Sequence, residues 1–344
     1  MKHNPLIKFI VRSLIAALPV FVFVGYYVVT DPFKVIYRSA DRIADEHGLA
    51  LGSNAGFVSI KTLEDNIKEG RAYDSFIFGS SMSQAFKAED WQRHLPQGAS
   101  IFHLDASEET VQGMVDKVNY LHRRGIKIRN ALVIIEEVML HRTPDDHNFL
   151  FTRTPAITGD VNWLQFHRQF FNVFKNPTFV GYSLFPDRYR DQMVKKRYAS
   201  SSLHHHSPLN NENIFTDIDS LIAVSPDKYY TPERLRKNDY RPLPTAYPPG
   251  TANPEVKKSL CELARLLRQD GTNYLVIMIP RYRRDPVSAW DMALIGQQFG
   301  SSNVVDFSRL PVSSDNRAYY DWAAHLTSSR CRQLLDSAYT RARF

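Results

Sequence analysis

Apolar and polar positions along this chain follow two different periods, and the changes between them mark its elements. An uncharged apolar run over residues 14–29 comes first, extended by residues 9–11. With Arg12 snorkelling toward the headgroups, the run approaches the ~20 residues that cross a bilayer. From Asp74 onward, short unbroken apolar runs alternate with amphipathic stretches. The runs at 75–78, 100–104, 131–135, 274–279 and 303–307 predict strands; the third is apolar along its whole length, as expected of a parallel strand covered on both faces. Helices are expected at 87–94, 108–124, 255–269, 286–299 and 328–343. In the second of these Val111, Met114, Val115, Val118 and Leu121 form a stripe that Gly125 closes, and in the third Gly271 is the stop. Strands alternating with helices in this way imply an α/β fold, a parallel five-stranded sheet with helices on both faces.

The same pattern divides the chain. Residues 1–30 read as a cytoplasmic tip and a transmembrane signal anchor. Lys2, Lys8 and Arg12 precede the apolar run, and Val28, Val29 and Thr30 offer no small-x-small cleavage site. Positive charge ahead of the span places the N-terminus in the cytoplasm and the remainder across the membrane. Tyr26 and Tyr27 fall at the outer interface. Residues 31–71 read as a stalk with one helix near 39–47, and residues 72–150 and 255–344 as the α/β domain. Between them lies 151–254, rich in Tyr, Phe, Pro, Asn and charge and weak in apolar patterning. It is expected as a partly helical insertion at the sheet edge, forming one wall of a cleft.

Composition narrows the possibilities further. The chain has 344 residues and two cysteines, so it is no disulfide scaffold. Cys261 and Cys331 fall on apolar faces of expected helices and are read as two buried free thiols, although an oxidising compartment would let them pair. A net charge of +7 suits an anionic membrane surface or an anionic glycan. No basic-aromatic repeat suggests nucleic acid. His204 to His206 read as a polar loop, since consecutive histidines seldom converge on one ion. No Walker-type or GxGxxG loop occurs, so no cofactor is expected.

The candidate chemistry lies at strand ends. The first strand stops at Gly79 and turns through Ser80 and Ser81, which puts a serine at the carboxyl edge of a parallel sheet. Asp321 and His325 follow the last strand. A hydroxyl, an imidazole and a carboxylate are the parts of a nucleophilic hydrolase or acyl transferase. The plainer alternatives are a capping serine and a half-buried histidine before a helix. Glu136 and Glu137 follow the third strand on the same edge. Neighbours on an extended chain face opposite ways, so one of them, taken as Glu137, is expected to face substrate. Arg281, Arg283 and Arg284 follow the fourth strand, where Arg281 and Arg283 are candidates to hold an anionic glycan or a lipid phosphate. Carboxylate pairing with Arg142 and ordinary solvated charge are the competing readings.

Gly79-Ser80-Ser81 and the closing Asp321 and His325 resemble the SGNH, or GDSL-like, hydrolases over residues 74–140 and 255–344, with the insertion unmatched. More narrowly, the chain looks like their membrane-anchored relatives, among them the alginate O-acetylation proteins and the D-alanyl transfer protein of teichoic acid synthesis. The resemblance implies Ser81 as nucleophile, His325 as base and Asp321 as its orienting carboxylate. The usual Asp-x-x-His is here Asp-x-x-x-His, and positions i+3 and i+4 face the same way on a helical turn. The family's oxyanion hole uses the nucleophile's own N–H, a glycine after the second strand and an asparagine after the third. Here Asp105-Ala106-Ser107-Glu108 and Glu136-Glu137 stand instead, which leaves the backbone of Ser81 and Ser107 as candidate donors. The implied activity is transfer of an acyl group, acetyl in the leading reading, to a hydroxyl of a cell-surface polysaccharide on the outer face of a bacterial inner membrane. The implied partner is a membrane-bound O-acyltransferase. An esterase or deacetylase would use the same residues, and a non-catalytic membrane-tethered scaffold or glycan-binding protein is the reading from another class.

Overall fold

The computed structural model describes residues 5–39, 49–159, 162–200, 205–240, 252–282, 287–310, 315–320 and 325–342, with backbone alone for 205 and 237–240. The chain divides into two compact units, one of residues 1–53 and 167–203, the other of residues 54–166 and 204–344.

In the first unit, α1 (Pro5–Thr30) is a helix of 26 residues with Pro19 inside it. At 1.5 Å per residue it is about 39 Å long, enough for a hydrocarbon core of about 30 Å. No residue of its most apolar window is buried by protein, so this helix is long and apolar enough to span a membrane. Toward its end Tyr27 packs on Phe171 and Phe174, with ring centroids 5.2 and 5.0 Å apart. The turn that follows closes on the buried Asp31, whose carboxylate accepts from the amides of Val35, Ile36 and Tyr37 at 2.9–3.0 Å. The expected stalk helix at 39–47 lies almost wholly outside the described residues.

The second unit holds the parallel sheet. Its strands are β1 (Ser75–Gly79), β2 (Ile101–Asp105), β3 (Asn130–Ile135), β4 (Asn273–Met278) and β5 (Val304–Asp306), in the order β2-β1-β3-β4-β5. In register, Gly79 pairs with Asp105, Phe78 with Val133, Ile135 with Met278 and Met278 with Asp306. The carboxyl ends of all five strands therefore share one edge. Because successive side chains alternate across a sheet, Phe76, Phe78, Phe102, Leu104, Val133 and Val276 enter one core. That core is covered by α2 (Ala55–Lys68), α3 (Val111–Arg123), α4 (Pro254–Gln269) and α5 (Ala289–Phe299). Ile77, Leu132, Ile134, Leu275, Ile277 and Val305 enter the opposite core, against Trp91 and α6 (Ser328–Arg341). The fold is thus α/β, with a five-stranded parallel sheet and helices on both faces.

Four differences from the sequence expectations have local causes. Residues 55–68 are not stalk: they form α2, capped by Asn54, whose side chain accepts from the amide of Phe57 at 2.8 Å. This helix buries Phe57, Ile60 and Leu63. Helix α3 starts three residues later than expected, because Glu108 takes a left-handed φ of 52° and Thr110 caps the helix through the Gly113 amide. Cys331 is buried, but Cys261 is exposed, since Leu260, Leu263, Ala264 and Leu267 form the buried face of α4. The fourth difference concerns 151–254, which is not one body. Residues 167–203 belong to the first unit, and residues 205–240 to the second. There the backbone carbonyl of Asn210 accepts from the His103 amide at 2.9 Å, which covers the free edge of β2. Pro242, Pro244, Pro248 and Pro249 lie outside the described residues.

Candidate active site

The turn after β1 is shaped by contact rather than by backbone sign. A Cβ on Gly79 would lie 2.6 Å from Ser83 Cβ and 3.2 Å from Ile134 Cβ, too close for any side chain. Ser83 folds back on the turn, donating its hydroxyl to the Ser80 carbonyl at 2.8 Å. Lys87 stands at the N-cap of the short helix that follows, with no side-chain capping bond. Ser80 is buried; its Oγ accepts from the Met82 amide at 3.2 Å and donates to Glu136 Oε1 at 2.8 Å. Ser81 is left half-exposed at the start of a single 3₁₀ turn, Ser81–Ser83.

The second component comes from the other end of the sheet's chain order. His325 precedes α6, on a loop fastened at both feet. Tyr319 and Leu326 form an antiparallel bridge, the Tyr320 amide donates to the His325 carbonyl at 2.8 Å, and the Thr327 amide donates to the Ala318 carbonyl at 2.9 Å. This loop brings His325 Nε2 to 2.9 Å from Ser81 Oγ. That distance is hydrogen-bond length, and it is the reach a general base needs. Asp321 and Arg283 lie outside the described residues, as do His204 and Arg284.

Residues 205–240 hold that loop from the side, which the sequence did not announce. The Tyr229 hydroxyl donates to the Tyr320 carbonyl at 2.6 Å, and Arg234 Nη1 donates to the same oxygen at 3.3 Å while its guanidinium lies 4.2 Å from the Tyr229 ring centroid. The Tyr320 ring stacks on Phe215 at 4.6 Å. Its hydroxyl bonds to Asp219, meets Ser328 Oγ at 2.7 Å and accepts from the Ser328 amide at 2.9 Å. Burial, and then the bond to Asp219, push this phenol well above its ordinary pKa, so it stays a neutral donor.

Of the two glutamates after β3, Glu136 is the one that reaches the Ser80–Ser81 turn. It is buried, and its second oxygen faces Arg281 Nε at 3.6 Å. Glu137, half-buried, opens the 3₁₀ turn Glu137–Leu140. Arg142 faces Glu108 at 3.9 Å. At the end of β2, Asp105 accepts from Gln84 Nε2 at 2.8 Å and Asn211 Nδ2 at 2.9 Å. Gln84 in turn accepts from Asn213 Nδ2 at 3.2 Å, so the segment after the Ser81 turn, β2 and the insertion share one polar network. Ser107 is half-buried and lines a cavity of about 120 Å³ with Glu108, Arg142 and Thr152, which neither Ser81 nor His325 lines. A larger cleft of about 770 Å³, with Arg123, Arg124 and Arg129 among its walls, opens at the amino ends of the strands, opposite Ser81. What distinguishes the carboxyl edge is therefore the Ser81–His325 contact and not the size of a cavity.

Among the described residues no group of His, Cys, Asp or Glu is arranged to hold a metal ion. What the arrangement can do is nucleophilic acyl chemistry: an accessible hydroxyl, an imidazole in contact with it, and a turn braced by a buried carboxylate. Compared with known proteins, the chain matches no protein-family model and no curated protein.

Proposed function

We propose that this protein is a membrane-anchored acyl-transfer enzyme of the SGNH type, with its catalytic domain on the extracytoplasmic side. Ser81 and His325 form its reactive pair. The observation that carries the reading is the 2.9 Å contact between His325 Nε2 and Ser81 Oγ at the carboxyl edge of a parallel sheet. Support for the anchor comes from α1, which is long and apolar enough to span a bilayer.

In the first step, Ser81 Oγ attacks the ester carbonyl while Nε2 of His325 takes the hydroxyl proton. The C–O bond to the leaving alkoxide then breaks, the imidazolium returns the proton to that oxygen, and the acyl group stays on Ser81. In the second step a hydroxyl of a cell-surface polysaccharide gives its proton to His325 and attacks the acyl-serine; the acyl C–O bond to Ser81 Oγ breaks, the imidazolium returns the proton to Oγ, and the ester is re-formed on the sugar. Acetyl is the acyl group of the leading reading, and a membrane-bound O-acyltransferase is the partner that would supply it. Asp321 is assigned as the carboxylate that orients His325.

Turnover of an aryl acetate by the detergent-solubilised chain tests the pair. Ser81→Ala and His325→Ala should each lower kcat by ~10³-fold or more. The double variant should be no slower than either, because members of a catalytic unit are not additive. Independent, multiplying losses in the double variant would break the pair apart, and retained activity in Ser81→Ala would remove the nucleophile.

A further inference from the structure

In the first unit, a second apolar surface is joined to the end of α1. Phe174 packs on Phe23 and Tyr26, with ring centroids 5.0 and 6.0 Å apart, and on Phe179 at 5.6 Å. Phe179 belongs to the helix Pro177–Leu184, which Asn176 caps by accepting from the Thr178 amide at 3.1 Å. That helix is thus tied through two rings to the apolar face of α1. Its Phe179 and Tyr182 are buried, whereas Leu184 and the following Phe185 are 66 % and 61 % exposed. The exposed pair forms a corner, since the next helix, Pro186–Lys195, begins immediately after it. Packing sets the angle of this corner. The Phe185 amide donates to the Gly181 carbonyl at 2.8 Å. A Cβ on Gly181 would lie 2.6 Å from the Tyr189 ring, so only glycine lets the two helices approach this closely.

Charge is the second observation. Residues 167–200 hold seven Lys and Arg against two Asp, which is +5 of the chain's net +7. Arg168, Lys175, Arg188 and Lys195 are exposed. An apolar tip on basic helices is the composition of an element that lies in a membrane interface. Its apolar residues enter the headgroup–acyl boundary by ~5–10 Å, and its cations meet anionic lipid. The depth agrees. Phe23 precedes Tyr27 by four residues, about 6 Å along α1, so the rings that meet Phe23 already stand at that depth. Leu184 follows Phe179 by five residues, about 7.5 Å along its own helix. Resting on the reading of α1 as a membrane span, we propose that this corner is a second membrane contact. Leu184 and Phe185 insert into an anionic leaflet at the Thr30 end of α1, and the neighbouring cations lie on its phosphates. Two contacts fix the attitude of the first unit to the bilayer, where one helix alone would let it turn.

Spin labels on the full chain test this without any turnover. Cys261→Ser leaves Cys331, which is buried, as the remaining native thiol. Leu184→Cys and Phe185→Cys replace exposed side chains and so preserve the fold, and Val20→Cys, at a position 63 % exposed on α1, reports the span itself. Each labelled chain is placed in nanodiscs of phosphatidylcholine and phosphatidylglycerol. Collisions of the label with oxygen, which partitions into lipid, are compared with collisions with a water-soluble nickel chelate. At all three positions the oxygen-to-nickel ratio should exceed that of free label in buffer severalfold. A lipid-exposed label at residue 20 with water-exposed labels at 184 and 185 would overturn the proposal and leave the span standing. Water at all three would remove both, so the two fail separately. Corner labels reached by neither probe would mean that protein covers them, a second copy or another chain, and the lipid contact would be refuted. Arg188→Gln/Lys195→Gln tests the charge. The preference of motionally restricted lipid for spin-labelled phosphatidylglycerol over phosphatidylcholine should fall about twofold. An unchanged preference would overturn the anionic leaflet.

Discussion

A methyl group at Gly79 would collide with Ser83 and Ile134, and Ser83 is in place because its hydroxyl ties back to the Ser80 carbonyl. Packing of this kind is what turns a strand end into an exposed serine, and the Gly-Ser-Ser order shows it in the sequence. The choice between Glu136 and Glu137 is not legible there. Alternation says that the two face opposite ways, but only the register of β3 against β1 says which one meets Ser80. The three buried donors on Arg281 and Tyr319 that have no partner among the described residues are equally invisible in sequence, because a missing partner leaves no pattern. One residue with a testable consequence is His103, buried on β2. Burial lowers its pKa from 6.5 to about 4; nearby Lys87 adds to the effect and Asp105 opposes it. Between those two pH values the unfolded chain binds a proton that the folded chain refuses. Stability is therefore full above pH ~6.5 and falls as the pH drops toward 4, by up to about 3 kcal/mol. Urea unfolding at pH 7.5 and pH 4.5 should show this loss in the natural chain and a smaller one in His103→Leu. An identical loss in both would assign the acid sensitivity to other groups.

The elements that carry continuous apolar runs are the ones the sequence makes plain. All five strands lie within one or two residues of their expected ends, since a strand buried on both faces has no other way to read. Helix α2 carries a comparable signal, with Asn54 as cap and Phe57, Ile60 and Leu63 at near-helical spacing, but two charged pairs on its outer face dilute it. Residues 205–240 are a different case. They act through aromatic rings with polar tips, each of which needs a partner distant in sequence: Tyr229 needs Tyr320, and Asp219 needs Tyr320 and Ser328 beside it. Such contacts have no period, so the clamp on the histidine loop had no sequence signature. Its contribution is measurable. Tyr320→Phe removes the oxygen that accepts from the Ser328 amide and bonds to Asp219. Stability should fall by about 1–3 kcal/mol, and kcat for an aryl acetate by ~10-fold with KM nearly unchanged, because the loop that places His325 is loosened. A variant that loses stability but keeps its kcat would mean that the loop holds His325 without this anchor.

Across the whole molecule, the parts of the candidate site come from positions far apart in sequence. Ser81 follows the first strand, Glu136 the third and Arg281 the fourth, while His325 precedes the last helix. The parallel sheet is what makes them neighbours, since it brings every strand's carboxyl end to one side. Whether that side is a catalytic site is decided most directly by covalent labelling. The detergent-solubilised chain would be treated with a fluorophosphonate and the adduct located by peptide mass spectrometry. The account predicts one stoichiometric adduct on Ser81, absent in Ser81→Ala and slowed ~10²-fold or more in His325→Ala at neutral pH. An adduct on Ser80, or a folded natural chain that takes no label, would contradict it.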